Sequence, residues 1–159
     1  NERDVTNFIK ELKKISSRNH KNLRTERMSK ITSEISVYKK VRHFINKQQR
    51  IIVEKKIKNK SCVVEGRDIG SVVFKKANTK LYIEVDIKIR AERRHKQLID
   101  MGEQSIYPKI LKEIKLRDKK DKNRKNSPLV IPKGANIIDN SNSFSLTIKQ
   151  LNKIFKKIN

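Results

Sequence analysis

The spacing of apolar residues along the chain predicts alternating helices and short strands. Apolar positions recur every three or four residues in five stretches, which are predicted to be helical: 5–16, 25–58 (in one or two pieces), 87–99, 108–122 and 145–158. Three short apolar runs are predicted strands: 61–65, 80–85 and 136–139. The first two runs suit a parallel sheet covered on both faces. The order of elements therefore favours an α/β fold with a parallel sheet.

Two single residues refine this pattern. Asp86 directly precedes a helical stretch and is a predicted N-cap, because its carboxylate can accept from the free amides of the first turn. Cys62 is the chain's one cysteine, lies in an apolar run and is predicted to pack as a small hydrophobic residue. A single cysteine permits no internal disulfide, which fits a reducing cytoplasm. No apolar run approaches membrane-spanning length.

Charge makes nucleic acid the first partner to consider. The 159 residues include 41 Lys and Arg against 17 Asp and Glu, a net charge of +24. These basic residues are spread evenly, aromatics make up only 5% of the chain, and there is no Trp, so base-stacking platforms are scarce. A general lysine bias explains the charge better, although non-specific RNA contact stays open.

The segment Gly66-Arg67-Asp68-Ile69-Gly70 follows the first predicted strand. Ligands of open α/β sheets bind beyond the carboxyl ends of strands, where this turn lies. Two glycines let the backbone approach a ligand closely, Arg67 can offer a fork to phosphate, and Asp68 can accept from an amine or hydroxyl. The alternative is a solvated turn with a local Arg–Asp pair, and the segment alone does not separate the two.

Two groups of arginines share helical faces. Arg117, Asp121 and Arg124 stand at i, i+4 and i+7, which by itself is most simply a surface ion pair. A second group shares a face at i, i+3, i+4 and i+7: Arg90, Arg93, Arg94 and Gln97. Arginines gathered in this way repel one another unless an anion lies between them, and arginine is the preferred residue for planar phosphate recognition.

The three histidines show no metal-ligand spacing, and no metal site is predicted. They are His20, His43 and His95.

These segments together resemble the bacterial cytidylate kinases. The match is carried by Glu65 to Phe74, by Arg90-Ala91-Glu92-Arg93-Arg94 with Gln97-Leu98, by Arg117 to Leu129, and by Arg24-Thr25-Glu26 with Ser33 and Val41-Arg42. It covers most of residues 23–158 and is specific as a set. The resemblance implies a P-loop nucleoside monophosphate kinase-like fold, a three-layer parallel sheet with helices on both faces.

The resemblance implies transfer of the γ-phosphoryl group of ATP, with Mg²⁺, to CMP or dCMP. It places an acceptor-binding set by position: Ser33, Arg42, Arg67, Asp68, Arg117, Asp121 and Arg124. It places a set beside the transferred phosphoryl group: Arg90, Arg93, Arg94 and, on the acceptor side, Arg124. Phosphoryl transfer depends on positioning and cationic stabilisation more than on a protein nucleophile. The complete family member is expected to be a cytoplasmic monomer.

One family feature is absent from this sequence. The family's G-x-x-x-x-G-K-[ST] loop, which cradles the ATP phosphates, cannot be formed by the four glycines of the chain, Gly66, Gly70, Gly102 and Gly134. We therefore expect an N-terminally incomplete kinase that is inactive alone. Residues 1–58 are predicted to be the remainder of the nucleotide-binding insertion with following helices, and 59–159 the α/β core with a lid at 88–124. Two alternatives remain: a basic nucleic-acid-binding remnant, or a chain that completes a separate partner segment.

Overall fold

The computed structural model describes residues 26–57 and 61–157, so the predicted helix over 5–16 lies outside the described part of the chain. The chain divides into two compact units. The first consists of Asn1–Gly66 with Arg124–Ser127, and the second of Arg67–Asn123 with Pro128–Asn159.

The described elements follow the order that the sequence predicts, with one addition, a π-helical turn, and without the predicted strand over 61–65. The first unit contains helices α1 (Glu26–Ile35) and α2 (Lys39–Lys56). The second unit contains a π-helical turn (Ile69–Val73), strand β1 (Leu81–Glu84), helices α3 (Ile87–Asp100) and α4 (Tyr107–Asn123), strand β2 (Asn136–Asp139) and helix α5 (Phe144–Phe155). None of the helices in the described ranges is long and apolar enough to cross a bilayer.

The predicted helix over 25–58 forms in two pieces. Tyr38 is extended (ψ 121°), and this breaks the helical path between α1 and α2. The amide of Tyr38 donates to the carbonyl of Ile35 at 3.2 Å, and the hydroxyl of Ser36 donates to the carbonyl of Ser33 at 2.9 Å. Since these bonds satisfy backbone groups at the end of α1, the two helices are joined by a short, closed link.

The two strands of the second unit confirm the predictions for 80–85 and 136–139. β1 and β2 pair in parallel, with Leu81 opposite Asn136 and Glu84 opposite Asp139. Asp86 follows β1 and caps α3, since its Oδ1 accepts from the amides of Lys88 (2.7 Å) and Ile89 (3.3 Å). The sequence therefore located both the strand end and the helix start correctly.

The predicted strand over 61–65 does not form. Within the described residues the sheet has two strands, and this segment belongs to neither. Val63 is 99% exposed and Cys62 is also exposed, so the prediction that Cys62 packs as a buried residue is wrong. An apolar run becomes a strand only where a neighbouring strand accepts its ladder hydrogen bonds, and the described residues supply none beside it.

The described sheet is incompletely covered. Ile138 is fully buried, whereas Ile83 and Ile137, which point to opposite faces, are 57% and 52% exposed. α5 is tied to β2 through Gln150, whose side-chain amide exchanges hydrogen bonds with the backbone of Asp139 at 2.8 and 3.1 Å. The prediction of a sheet covered on both faces is therefore not met by the described part of the chain.

A compact core lies between α3 and α4. Ala91, Leu98 and Ile110 are buried there. Partly buried side chains pack around them: Tyr107, Leu111 and Ile114. The absence of a side chain beyond Cβ at Ala91 lets the two helices approach closely at the turn that carries Arg90. This contact fixes the backbone on which the charged side chains of the second unit stand.

Candidate functional site

A cluster of charged side chains lies on α3, α4 and the segment that precedes the π-helical turn. Arg90 of α3 makes a bidentate contact with Asp118 of α4, with Nη1 to Oδ1 at 3.1 Å and Nη2 to Oδ2 at 2.5 Å. Arg67 Nη1 lies 3.9 Å from the same Oδ1. The carboxylate of Asp118 is therefore shared by two guanidinium groups from distant parts of the sequence.

A second carboxylate, that of Asp121, holds Arg67 from the other side. Asp121 is buried, and its Oδ2 lies 3.0 Å from Arg67 Nε. The sequence allowed Asp121 to be half of a surface ion pair with Arg117, one turn away. The structure instead gives Asp121 a buried position and Arg67 as an ion-pair partner, so that alternative does not describe this residue.

Arg117 stands beside this cluster, half-buried. Burial lowers the pKa of its guanidinium, and the positive charge of Arg67 lowers it further; Asp121 and Asp118 act in the opposite direction. Arg94 adds a smaller lowering effect on the pKa. Burial and the neighbouring arginines thus disfavour the charged form of Arg117, and the two carboxylates favour it.

The cluster holds more positive than negative charge. Arg67, Arg90 and Arg117 interact with the carboxylates of Asp118 and Asp121, and Arg94 interacts with Arg117. These four guanidinium groups and two carboxylates carry a net charge of +2. An incoming anion would relieve this excess. A cleft of about 440 Å³ lies next to it, lined by Ile87, Arg90, Lys115, Asp118, Lys119, Lys122 and Asn123.

The arginines of α3 diverge. Arg90 pairs with Asp118, as above. Arg93 Nη2 donates to the backbone carbonyl of Asn142 at 3.3 Å, and Arg94 Nη1 donates to Gln97 Oε1 at 2.8 Å. Each of these three side chains therefore has its own acceptor, and their gathering around one anion stays a prediction.

The segment Gly66 to Gly70 is not a simple turn. Asp68 is buried, and its backbone carbonyl accepts from the amides of Val72 (2.8 Å) and Val73 (3.2 Å) as the π-helical turn begins. A Cβ at Gly70 would lie 2.9 Å from Pro132 Cγ, so glycine is required there for close packing. The prediction that this glycine lets the backbone approach a ligand is corrected accordingly, since its close neighbour is Pro132.

Three predicted site residues belong to the first unit: Ser33, Arg42 and Arg124. Ser33 and Arg42 are half-buried, on α1 and α2. Arg124 lies one residue beyond α4, so it does not extend the helical face of Arg117 and Asp121 as the spacing suggested. Its Nε donates to the carbonyl of Ser127, which has φ of 53°. A joint site of these three residues with the charged cluster stays a prediction.

Sequence reasoning missed Asp118 as a member of the site. It stands in the quoted run from Arg117 to Arg124, but no spacing rule connects it with Arg90, 28 residues earlier. The one available signal was the excess of arginines on α3, which required an acidic partner from elsewhere. His95 lies on α3, and its Nδ1 is hydrogen-bonded to Ser105 Oγ at 2.8 Å.

The residues present do not fit a site for the phosphates of ATP with Mg²⁺. Among the described residues no group of acidic, histidine or cysteine side chains is arranged to hold a metal ion. The sequence contains no G-x-x-x-x-G-K-[ST] loop.

Comparison with known proteins gives one consistent family. A family model described as cytidylate kinase matches residues 4–159. The chain is 39% identical over 138 residues to cytidylate kinase of Rickettsia felis, which covers 87% of this chain and 62% of the relative. It is 40% identical to cytidylate kinase of Rickettsia canadensis, again over 87% of this chain and 62% of the relative. It is 42% identical to cytidylate kinase of Rickettsia akari, over 77% of this chain and 54% of the relative. The chain thus spans less than two thirds of the length of these relatives.

Proposed function

We propose that this chain, which belongs to the cytidylate kinase family, carries the acceptor site for CMP or dCMP in phosphoryl transfer from ATP. The observation that supports this most is the net positive cluster of the second unit. Arg67, Arg117 and Asp121 are among the residues that the resemblance assigned to the acceptor, and they lie close together.

The chemistry of the cluster suits a nucleoside monophosphate. A phosphate monoester brings close to two negative charges at neutral pH, which matches the excess of guanidinium over carboxylate in this cluster. Guanidinium groups can bind phosphate oxygens in a bidentate way. Asp121 Oδ2 lies 3.0 Å from Arg67 Nε, and the resemblance assigns Asp68 to recognition of the acceptor nucleotide.

Within this proposal the arginines of α3 act on the phosphoryl side. Arg90, Arg93 and Arg94 would stabilise the oxygens of the transferred group, and the resemblance also assigns Ser33, Arg42 and Arg124 to the acceptor. ATP with Mg²⁺ supplies the phosphoryl group in the reaction. Since the chain's own residues do not fit that donor, we propose a kinase fold of the P-loop class that binds the acceptor without transferring phosphate by itself.

Calorimetric titration with CMP tests this function. We expect CMP to bind and AMP to bind at least tenfold more weakly, with no heat from ATP·Mg²⁺. The variant Arg117→Gln should lose CMP binding, whereas Lys149→Gln, an exposed charge change on α5, should leave it intact. A folded chain that binds no CMP at millimolar concentration would overturn the proposal.

Sequence-independent RNA contact is a second candidate, favoured by a row of exposed lysines along α4. One lysine stands on nearly every turn: Lys109, Lys112, Lys115, Lys119 and Lys122. Five phosphate contacts predict a slope of about −3.5 for log K against log salt on single-stranded RNA, at about −0.7 per contact. Replacing Lys115 and Lys119 by Gln should flatten that slope by about 1.4. An unchanged slope would remove this candidate.

A further inference from the structure

We propose that Asp118 is a positioning residue that sets Arg67 and Arg90 for phosphate binding. The inference rests on the proposed function, since the phosphate concerned is that of the acceptor nucleotide or of the transferred group. Its basis is geometric: a single carboxylate contacts guanidinium groups from two elements that are both assigned to the site.

The contact leaves both arginines with donors for a ligand. A guanidinium carries five N–H donors in a fixed plane. The fork on Asp118 uses one hydrogen from each Nη of Arg90, so three donors remain, including Nε, which has no hydrogen-bond partner. Arg67 is paired through Nε with Asp121 at 3.0 Å and through Nη1 with Asp118 at 3.9 Å, so two carboxylates restrain its guanidinium group.

Burial gives the contact its strength. The side chain of Asp118 is 17% exposed, and Arg90 and Arg67 are about one third exposed, so the three charges are partly screened by protein from water. Exposed ion pairs contribute little, but charge-assisted bidentate pairs with restricted solvent access are stronger. Ala91, fully buried next to Arg90, fixes the helix that carries the guanidinium.

Charge balance explains why a carboxylate is needed at this point. Without Asp118, the carboxylate of Asp121 would be the one left beside Arg67, Arg90 and Arg117, and Arg67 and Arg90 would repel each other. They would then separate, as Arg93 and Arg94 do towards their own acceptors. A correctly placed pair of arginines beside the phosphate therefore requires a shared negative charge between them.

The variant Asp118→Asn separates positioning from simple electrostatics because the two predict opposite signs. Removing a negative charge beside the site should by itself strengthen the binding of any anion. Loss of positioning should weaken it. We measure dissociation constants of CMP and of cytidine by calorimetry and compare their ratio, which isolates the phosphate contribution. A loss of stability would affect both ligands alike.

We expect Asp118→Asn to lower the cytidine-to-CMP ratio of dissociation constants by about tenfold, the scale of one charge-assisted hydrogen bond. Asp118→Glu should recover most of the ratio. The matched control is Glu92→Gln, the same charge change at an exposed position of α3, and it should leave the ratio unchanged. An unchanged or increased ratio in Asp118→Asn, or a ratio in Asp118→Glu equal to that of Asp118→Asn, would overturn the inference.

A second measurement does not depend on nucleotide binding. Nitrogen NMR of the arginine guanidinium groups reports whether rotation about Cζ–Nε is slowed. The Nη signals of Arg90 should be resolved in the wild-type chain and averaged in Asp118→Asn. If the wild-type chain binds no CMP, the proposed function fails, and these signals alone decide the role of Asp118: averaged signals in the wild type overturn it.

Discussion

The helix pair α3–α4 and the β1–β2 sheet contrast within one unit of the protein. The helix pair has its own buried core of Ala91, Leu98 and Ile110 and carries the charged cluster on the same elements. The sheet buries Ile138 but leaves Ile83 and Ile137 more than half exposed. Within the described residues the helix pair thus has a buried core, whereas the sheet is only partly covered.

The difference follows from how the two kinds of element find their partners. α3 and α4 are neighbours in sequence and are joined by a short loop, so their contact needs no distant segment. A parallel strand requires a neighbour that arrives through a long crossover, and each unpaired edge leaves backbone groups unsatisfied. A site built on the helix pair can therefore form even where the sheet is narrow.

The largest expected effect tests the core of the helix pair. Leu98→Ala removes a buried side chain and should lower the free energy of unfolding by about 2–5 kcal/mol. Ile83→Ala, on the exposed sheet, should cost about 1 kcal/mol or less. Urea denaturation of both variants measures the difference. Equal costs would show that the sheet is as well packed as the helix pair.

The next effect tests the buried charge of the cluster. Asp121→Ala leaves Arg67 without its ion-pair contact at Nε and should cost about 1.5–3 kcal/mol of unfolding free energy. Asp100→Ala, at the exposed end of α3, is the control and should stay within about 0.5 kcal/mol of wild type. If the two variants unfold at the same denaturant concentration, the Arg67–Asp121 pair contributes only as a surface contact.

A smaller effect is expected from removing N-caps, at the start of α3 in the helix pair and at the start of α5, which is tied to the sheet. Asp86→Ala removes an acceptor for two amides of α3 and should cost about 1 kcal/mol. Ser143→Ala at the start of α5 should cost less, because Ser143 Oγ lies 3.4 Å from the amide of Leu146. Thermal unfolding followed by circular dichroism gives both values, and the reverse order would contradict the geometry.

The smallest expected effect is a shift in the pKa of Asp139, at the end of β2. Hydrogen bonds from the side chain and backbone of Ser141 lower the pKa of Asp139 below its ordinary value of 3.8. Because the folded pKa is the lower one, the associated stability is present above pH 3.8 and is lost as pH falls through the folded value. Ser141→Ala should raise the pKa, as measured by carboxyl NMR titration. An unchanged pKa would leave the backbone amide of Ser141 as the sole cause.

The predicted elements that formed depend on short-range signals. Helical spacing located α3, α4 and α5 to within a few residues and covered α1 and α2 with one predicted stretch, and Asp86 marked the start of α3. The apolar run over 61–65 carried an equally clear local signal but has no strand partner in the described residues. A strand depends on another segment for its hydrogen bonds, whereas a helix makes its own.

By itself the sequence determined where the arginines stand and which of them share a helical face, since both follow from position and helical period. The tertiary structure decided which acceptor each arginine meets. Arg90 lies beside Asp118 where α3 packs against α4 around the buried Ala91. Arg67 lies beside Asp121 in the segment that precedes the π-helical turn. Exposed charges attract one another effectively only over short distances, and the distance between charges that are far apart in sequence is set by the folded chain.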